Sequence, residues 1–153
     1  MLNEVDFPLT NSQISEFILD EGYTTYFKLQ QALSELLESG FIREESTHHR
    51  TFYHLTEDGA ETIHYFTNDI SPAIQHDIDE FLKEKHYELK NEMSVKADYF
   101  ENSNMEYSVR CQVIEQGLPL IDLTVTAPTE SEAATIANNW QKRNQEIYAS
   151  VMA

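Results

Sequence analysis

The chain has 153 residues, a net charge of −17 at neutral pH and one cysteine, enough length for one or two small domains with a real core. The acidity works against a broad phosphate-binding surface, because DNA affinity comes largely from Lys and Arg. No apolar run reaches the ~18 residues of a membrane span, Met1-Leu2-Asn3-Glu4 lacks signal-peptide character, and the lone Cys111 forms no intrachain disulfide, so a cytoplasmic protein without membrane association is expected.

Phe7-Pro8-Leu9 enters a capping box at Thr10-Asn11-Ser12-Gln13, in which a Thr hydroxyl and the Gln three residues on satisfy orphan amides at a helix start. Ile14, Phe17 and Ile18 then recur at helical spacing, and Gly22 is suited to the left-handed residue that closes the helix. Thr24 or Thr25 caps a second helix, whose expected buried face is Tyr26, Leu29, Leu33, Leu36 and Leu37. Ser39-Gly40 stops it. Two strands follow, Phe41 to Glu45 and Thr51 to Leu55, around a polar tip at Ser46-Thr47-His48-His49-Arg50. Thr56 caps a third helix to about Phe66, with Ala60, Ile63, Tyr65 and Phe66 expected inward. Gly59 within it should weaken the helix by roughly 1 kcal/mol relative to Ala. Helix, turn, helix and two-stranded ribbon in this order is the arrangement of a winged helix-turn-helix.

Asn68 to Pro72 reads as a boundary, with Ser71 and Pro72 starting a new helix. Its apolar residues Ile74, Ile78, Phe81, Leu82 and Leu89 keep the period of a helix to about Asn91. The period then becomes two, in three segments around Val95–Tyr99, Tyr107–Val113 and Ile121–Val125, separated by turns at Asn102-Ser103-Asn104 and Gly117-Leu118-Pro119. Short turns imply an antiparallel meander. A second capping box at Thr129-Glu130-Ser131-Glu132 opens the last helix, with Ala133, Ile136, Ala137, Trp140, Ile147 and Val151 on one stripe and Asn144 interrupting it. One polar residue in a helical seam can set register and partner number. The expected fold is α+β: a winged helix-turn-helix over residues 1–70, then an α-β-β-β-α domain with a three-stranded antiparallel sheet over 71–153, serving dimerisation or effector binding.

Phe7-Pro8-Leu9-Thr10-Asn11-Ser12-Gln13-Ile14-Ser15-Glu16-Phe17, followed by Gly22-Tyr23-Thr24-Thr25-Tyr26-Phe27, resembles the signature of a domain-of-unknown-function family of Gram-positive bacteria. The resemblance covers nearly the whole chain. It implies an N-terminal winged helix, a C-terminal α/β part and a role in transcriptional regulation; more loosely, the winged helix is similar to PadR-type and MarR-type regulators, which act as dimers. It also implies a further apolar helix before Asp6-Phe7-Pro8, of which Met1 to Val5 can be only the tail. An internal start or a truncation accounts for this shortfall more readily than a helix supplied by a partner. Apolar surface should then lie open on the Ile14/Phe17 and Leu33/Leu37 stripes.

In a DNA-binding winged helix the second helix enters the major groove by its N-terminal half and the wing touches phosphate or the minor groove. The candidate DNA contacts are therefore Thr24, Thr25, Tyr26, Lys28 and Gln31 on the helix, and Arg43, His48, His49 and Arg50 on the wing. Each residue also has an ordinary reading, Tyr23 and Tyr26 as core or rim aromatics and Lys28 as a solvated charge. Residues 1–70 carry thirteen acidic side chains against Lys28, Arg43 and Arg50 alone, so a DNA interface there must be small and local. Adjacent residues such as His48 and His49 point apart on a strand and no further ligand set accompanies them, so no metal is expected. No phosphate loop, zinc motif or nucleophile elbow is present, which leaves neither an enzyme nor a cofactor. The expected function is a homodimeric DNA-binding transcriptional regulator. The alternative is an acidic protein-interaction or structural module with a protein partner, and a small-ligand sensor in the second part is compatible with either.

Overall fold

A computed structural model describes residues 1–48 and 50–153. The described residues form two compact units, one of residues 1–46 and 50–90 and one of residues 47–48 and 91–153.

In the first unit, strand β1 (Leu9–Thr10) leads directly into helix α1 (Asn11–Asp20). The capping box is complete: the Gln13 amide donates to Thr10 Oγ1 at 3.0 Å and the Thr10 amide to Gln13 Oε1 at 2.9 Å. Gly22, at φ +69°, ends α1 in a Schellman motif, with its own amide on the Leu19 carbonyl and the Tyr23 amide on that of Ile18. Gly40, at φ +72°, closes helix α2 (Tyr26–Glu38) in the same way. Strands β2 (Ile42–Ser46) and β3 (Thr51–Leu55) form the expected hairpin, and β1 adds to its other side in the order β1-β3-β2, all antiparallel. The pairing of Leu9 with Tyr53 was not legible in the sequence, because two residues are too few to show a period. Helix α3 (Glu57–Phe66) starts at Thr56, whose hydroxyl accepts from the Gly59 amide.

Helix α4 (Pro72–Ser94) decides where the first unit ends. Its Ile78, Phe81, Leu82 and Leu89 join Leu9, Ile14, Leu29, Leu33, Ile42 and Tyr53 in one core. The compact units consequently divide at Lys90–Asn91, later than the expected 70/71. The helical stripe of α4 is as expected; the core that takes it up belongs to the first unit.

Two expectations of burial fail. Tyr26 and Leu36 are 51% and 39% exposed, and Tyr65 and Phe66 are 73% and 56% exposed. The Phe17 ring is met by Tyr23 and Phe81, at centroid distances of 5.9 and 4.9 Å, while the Tyr26 ring lies edge-on to the exposed Phe27. On α3 the inward line is Gly59 with the half-buried Thr62 and Ile63, so adjacent Tyr65 and Phe66 cannot both follow it.

The second unit is a meander of β4 (Val95–Glu101), β5 (Tyr107–Glu115) and β6 (Leu118–Ala127), in the order β4-β5-β6. Gln116 and Gly117, both at positive φ, make a two-residue turn between Glu115 and Leu118, which suits the twist of a hairpin. Helix α5 (Glu130–Met152) covers one face. Ala133 and Ala137, both fully buried one turn apart, let the helix approach the sheet, and Trp140 follows on the same stripe, its indole donating to the Gln112 carbonyl at 3.1 Å. Of the two helices expected over this sheet, only α5 lies wholly in its unit. Asn144 is buried and donates to the Trp140 and Gln141 carbonyls of its own helix, at 3.0 and 3.2 Å. Cys111 is a buried strand thiol whose pKa burial pushes up to about 11. Among the described residues no helix is long and apolar enough to cross a membrane.

Candidate nucleic-acid interface

Helix α2 is held from behind by Leu29 and Leu33, 7% and 5% exposed. A polar bolt adds to this: Gln30 and Asn11 exchange side-chain hydrogen bonds at 2.8 and 3.1 Å, and Asn11 also donates to the Tyr53 hydroxyl at 3.1 Å. The turn before α2 is fixed by Tyr23, whose hydroxyl donates to the Asp77 carboxylate on α4. That hydrogen bond pushes the phenol up to about 12. The middle of α1 is tied to α4 as well, through Lys85 and Glu16. Asp77 and Lys85 read in sequence as ordinary solvated charges. Their roles depend on partners 54 and 69 residues away, which no local pattern reveals.

This scaffold turns the opposite side of α2 to solvent. Thr25 caps the helix, its hydroxyl accepting from the Lys28 amide at 3.4 Å, and is thus partly committed to the backbone. Thr24 is half-buried; Tyr26, Lys28 and Gln31 are exposed. Phe27, which sequence reasoning passed over, is 84% exposed and sits edge-on to Tyr26 at 6.0 Å. Its neighbour in sequence is the single cation of the helix, so the first turn offers two aromatic rings, an ammonium and a helix N-terminus, where negative charge is favoured. Further along, the Gln31 amide donates to Glu35 at 3.0 Å, and the exposed Glu35 and Glu38 make the C-terminal half acidic.

The wing candidates separate. Arg43 is exposed on β2, opposite His54, and Arg50 is half-buried just before β3. His54 bonds Glu45 at 3.0 Å. Thr47 and His48 group with the second unit, where the His48 ring stacks on Tyr99 at 3.8 Å and 7°. Its Nδ1 is paired with the Asp98 carboxylate, which also accepts the His48 amide at 3.2 Å. Burial pushes the Asp98 carboxyl up, but the hydrogen bonds from His48 and from the Tyr99 amide outweigh it and leave the pKa below the usual value. His48 is therefore engaged with a carboxylate. His49 lies outside the described residues.

A family model described as a domain of unknown function, DUF4364, matches residues 1–153. The chain belongs to that family. No curated protein and no solved structure matches it. The expected membership of an uncharacterised family is met, and the DUF4364 chain has to be interpreted from its own surface.

The other prominent feature of the DUF4364 first unit is an apolar groove of about 360 Å³, lined among others by Ile14, Ile18, Leu33, Leu36, Ile63 and Phe66. Of the stripes expected to lie open, Ile14, Phe17 and Leu33 are buried, at 6%, 2% and 5% exposed; the Phe81 ring of α4 meets that of Phe17. Helix α4 thus takes up part of the apolar surface that an upstream helix was expected to cover.

Proposed function

We propose that the DUF4364 chain is a DNA-binding transcriptional regulator of winged-helix type, cytoplasmic and acting as a homodimer. One observation carries this reading: a capped helix follows a Schellman turn, is fixed by its buried face, and offers Phe27, Lys28 and Gln31 to solvent ahead of a two-stranded ribbon bearing Arg43 and Arg50. A helix so held can enter a major groove, and the ribbon can meet phosphate. Two-fold symmetry would then ask for two half-sites about one helical turn apart. Three fixed cations are few, so affinity should be modest, with aromatic and polar contacts from the first turn of α2 adding to it.

Replacing Lys28 or Arg50 by alanine is expected to weaken binding across all duplex sequences alike and to lower the salt slope by about 1 for each phosphate no longer neutralised. Anisotropy titrations at several salt concentrations measure both quantities. Binding that survives both substitutions with an unchanged slope would place the interface elsewhere.

A second reading is favoured by Glu35 and Glu38 on the exposed side of α2, by Phe27 and by the apolar groove. In it, the DUF4364 chain is an acidic protein-interaction module that uses the same helix pair without DNA. Salt-sensitive DNA binding separates the two.

A further inference from the structure

We infer that strand β6 is a self-association edge, where a second copy of the chain adds its own β6 antiparallel to make one continuous six-stranded sheet. Among the described residues β6 is hydrogen-bonded on one side only, to β5. It runs for ten residues, Leu118–Ala127. Long open edges are ordinarily guarded by lysines, bulges or inward charges. This one has no lysine, its proline and its irregularity lie at the start, near Ile114 and Pro119, and its single charge is Asp122. The opposite edge, β4, carries Lys96, Asp98 and Glu101 on seven residues.

The side chains select a register. Centring the two-fold axis on Leu123 pairs Ile121 through Val125 with the same stretch of the second copy, on the regular side of the irregularity at Leu120. Ile121 then meets Val125 and Leu123 meets Leu123. Asp122 meets Thr124, so no like charges oppose. An axis at Asp122 would set two carboxylates against each other, which destabilises a cross-strand pair. An axis at Thr124 would place the two Arg110 side chains in one row with no carboxylate between them. On the face turned away from α5, the Leu123-centred register gives a row in which Arg110 and Thr124 of one copy continue into Asp122 and Gln112 of the other. Within each copy Arg110 already holds Asp122 with two bonds, of 3.1 and 2.8 Å. On the α5 face an open channel of about 400 Å³, lined by Leu123, Val125, Ile136, Trp140, Arg143 and Ile147, runs beside β6. Pairing would extend its apolar floor with Leu123 and Val125 of the second copy.

A strand of this length extends about 33 Å. With roughly 15 Å of thickness that edge would bury on the order of 1,000 Å² in total, at the lower limit for a specific interface. The dimer is accordingly expected to be weak, with a Kd in the micromolar range. The inference stands apart from the DNA reading, because its test contains no DNA.

Sedimentation velocity of the full chain between about 1 and 200 µM should show a monomer–dimer equilibrium. Thr124→Asp should raise the Kd at least tenfold at low salt, by facing Asp122 of the second copy. Thr124→Lys should lower it severalfold. Within its own sheet Thr124 lies opposite Arg110, so an acidic side chain there meets a cation in the folded monomer, and an unchanged circular dichroism spectrum separates loss of the dimer from loss of the fold. A wild-type chain that stays monomeric at 200 µM, or a dimer that responds to neither substitution or to both in the same direction, would overturn the inference.

Discussion

Replacing Gly59 with alanine lowers the stability of the first unit by about 2 kcal/mol, although it puts a better helix former inside a helix. Helix propensity alone would give the opposite sign, a gain of about 1 kcal/mol. The difference lies in where α3 rests. A Cβ built on Gly59 would stand 2.0 Å from the Phe41 carbonyl oxygen and 2.9 Å from Leu55 Cδ1. The first of these is backbone and is itself held, since it accepts the Thr56 amide at 3.1 Å. The Thr56 hydroxyl in turn donates to the Gly40 carbonyl at 2.7 Å. The methyl group therefore forces apart the cap of α3 and the end of α2, and overpacking of this kind costs about 1–3 kcal/mol, occasionally more. Urea unfolding followed by circular dichroism measures it; an unchanged or raised midpoint would show that α3 does not approach Phe41 so closely.

Replacing Trp140 with alanine has the larger effect, a loss of about 3–5 kcal/mol from the second unit. The side chain is 3% exposed and belongs to the stripe by which α5 meets the sheet. Its removal also leaves the Gln112 carbonyl without the indole donor. Trp140→Phe keeps most of the burial and loses the hydrogen bond, so it should cost less, about 1–2 kcal/mol beyond any repacking. Since Trp140 is the single tryptophan of the chain, circular dichroism rather than fluorescence has to compare the three proteins. Equal losses for both variants would mean that the hydrogen bond, not the buried area, holds the helix.

What could be read from the residues were the features fixed within a few positions. The threonine caps at Thr10, Thr25, Thr56 and Thr129 each accept the expected amide, and Gly22 and Gly40 each end a helix. The alternation in the second half gave the three strands of the meander. Features that depend on distant partners stayed hidden. Periodicity showed that α4 buries a stripe but not against which sheet, and Ser94 passes into Val95 with no linker to mark a boundary. Gly59 read as a weakness in α3 because the carbonyl that requires it comes from Phe41, eighteen positions earlier. Tyr26 shares the helical stripe of Leu29, yet Tyr23 and Phe81 meet the Phe17 ring and Tyr26 stays outside. Among the candidate contacts, composition located Lys28, Arg43 and Arg50; the exposure of Phe27 and the engagement of His48 with Asp98 came only with the fold.

The most direct test of the proposed function is fluorescence anisotropy of the wild-type chain with a labelled mixed-sequence duplex, at low and at moderate salt. The three fixed cations among the candidate contacts of each copy, Lys28, Arg43 and Arg50, predict binding at low salt that declines with a log–log slope of about −3 for each copy bound. Absence of binding at low salt, where attraction to phosphate is greatest, would contradict the regulator and leave the acidic protein-interaction module as the function of this fold.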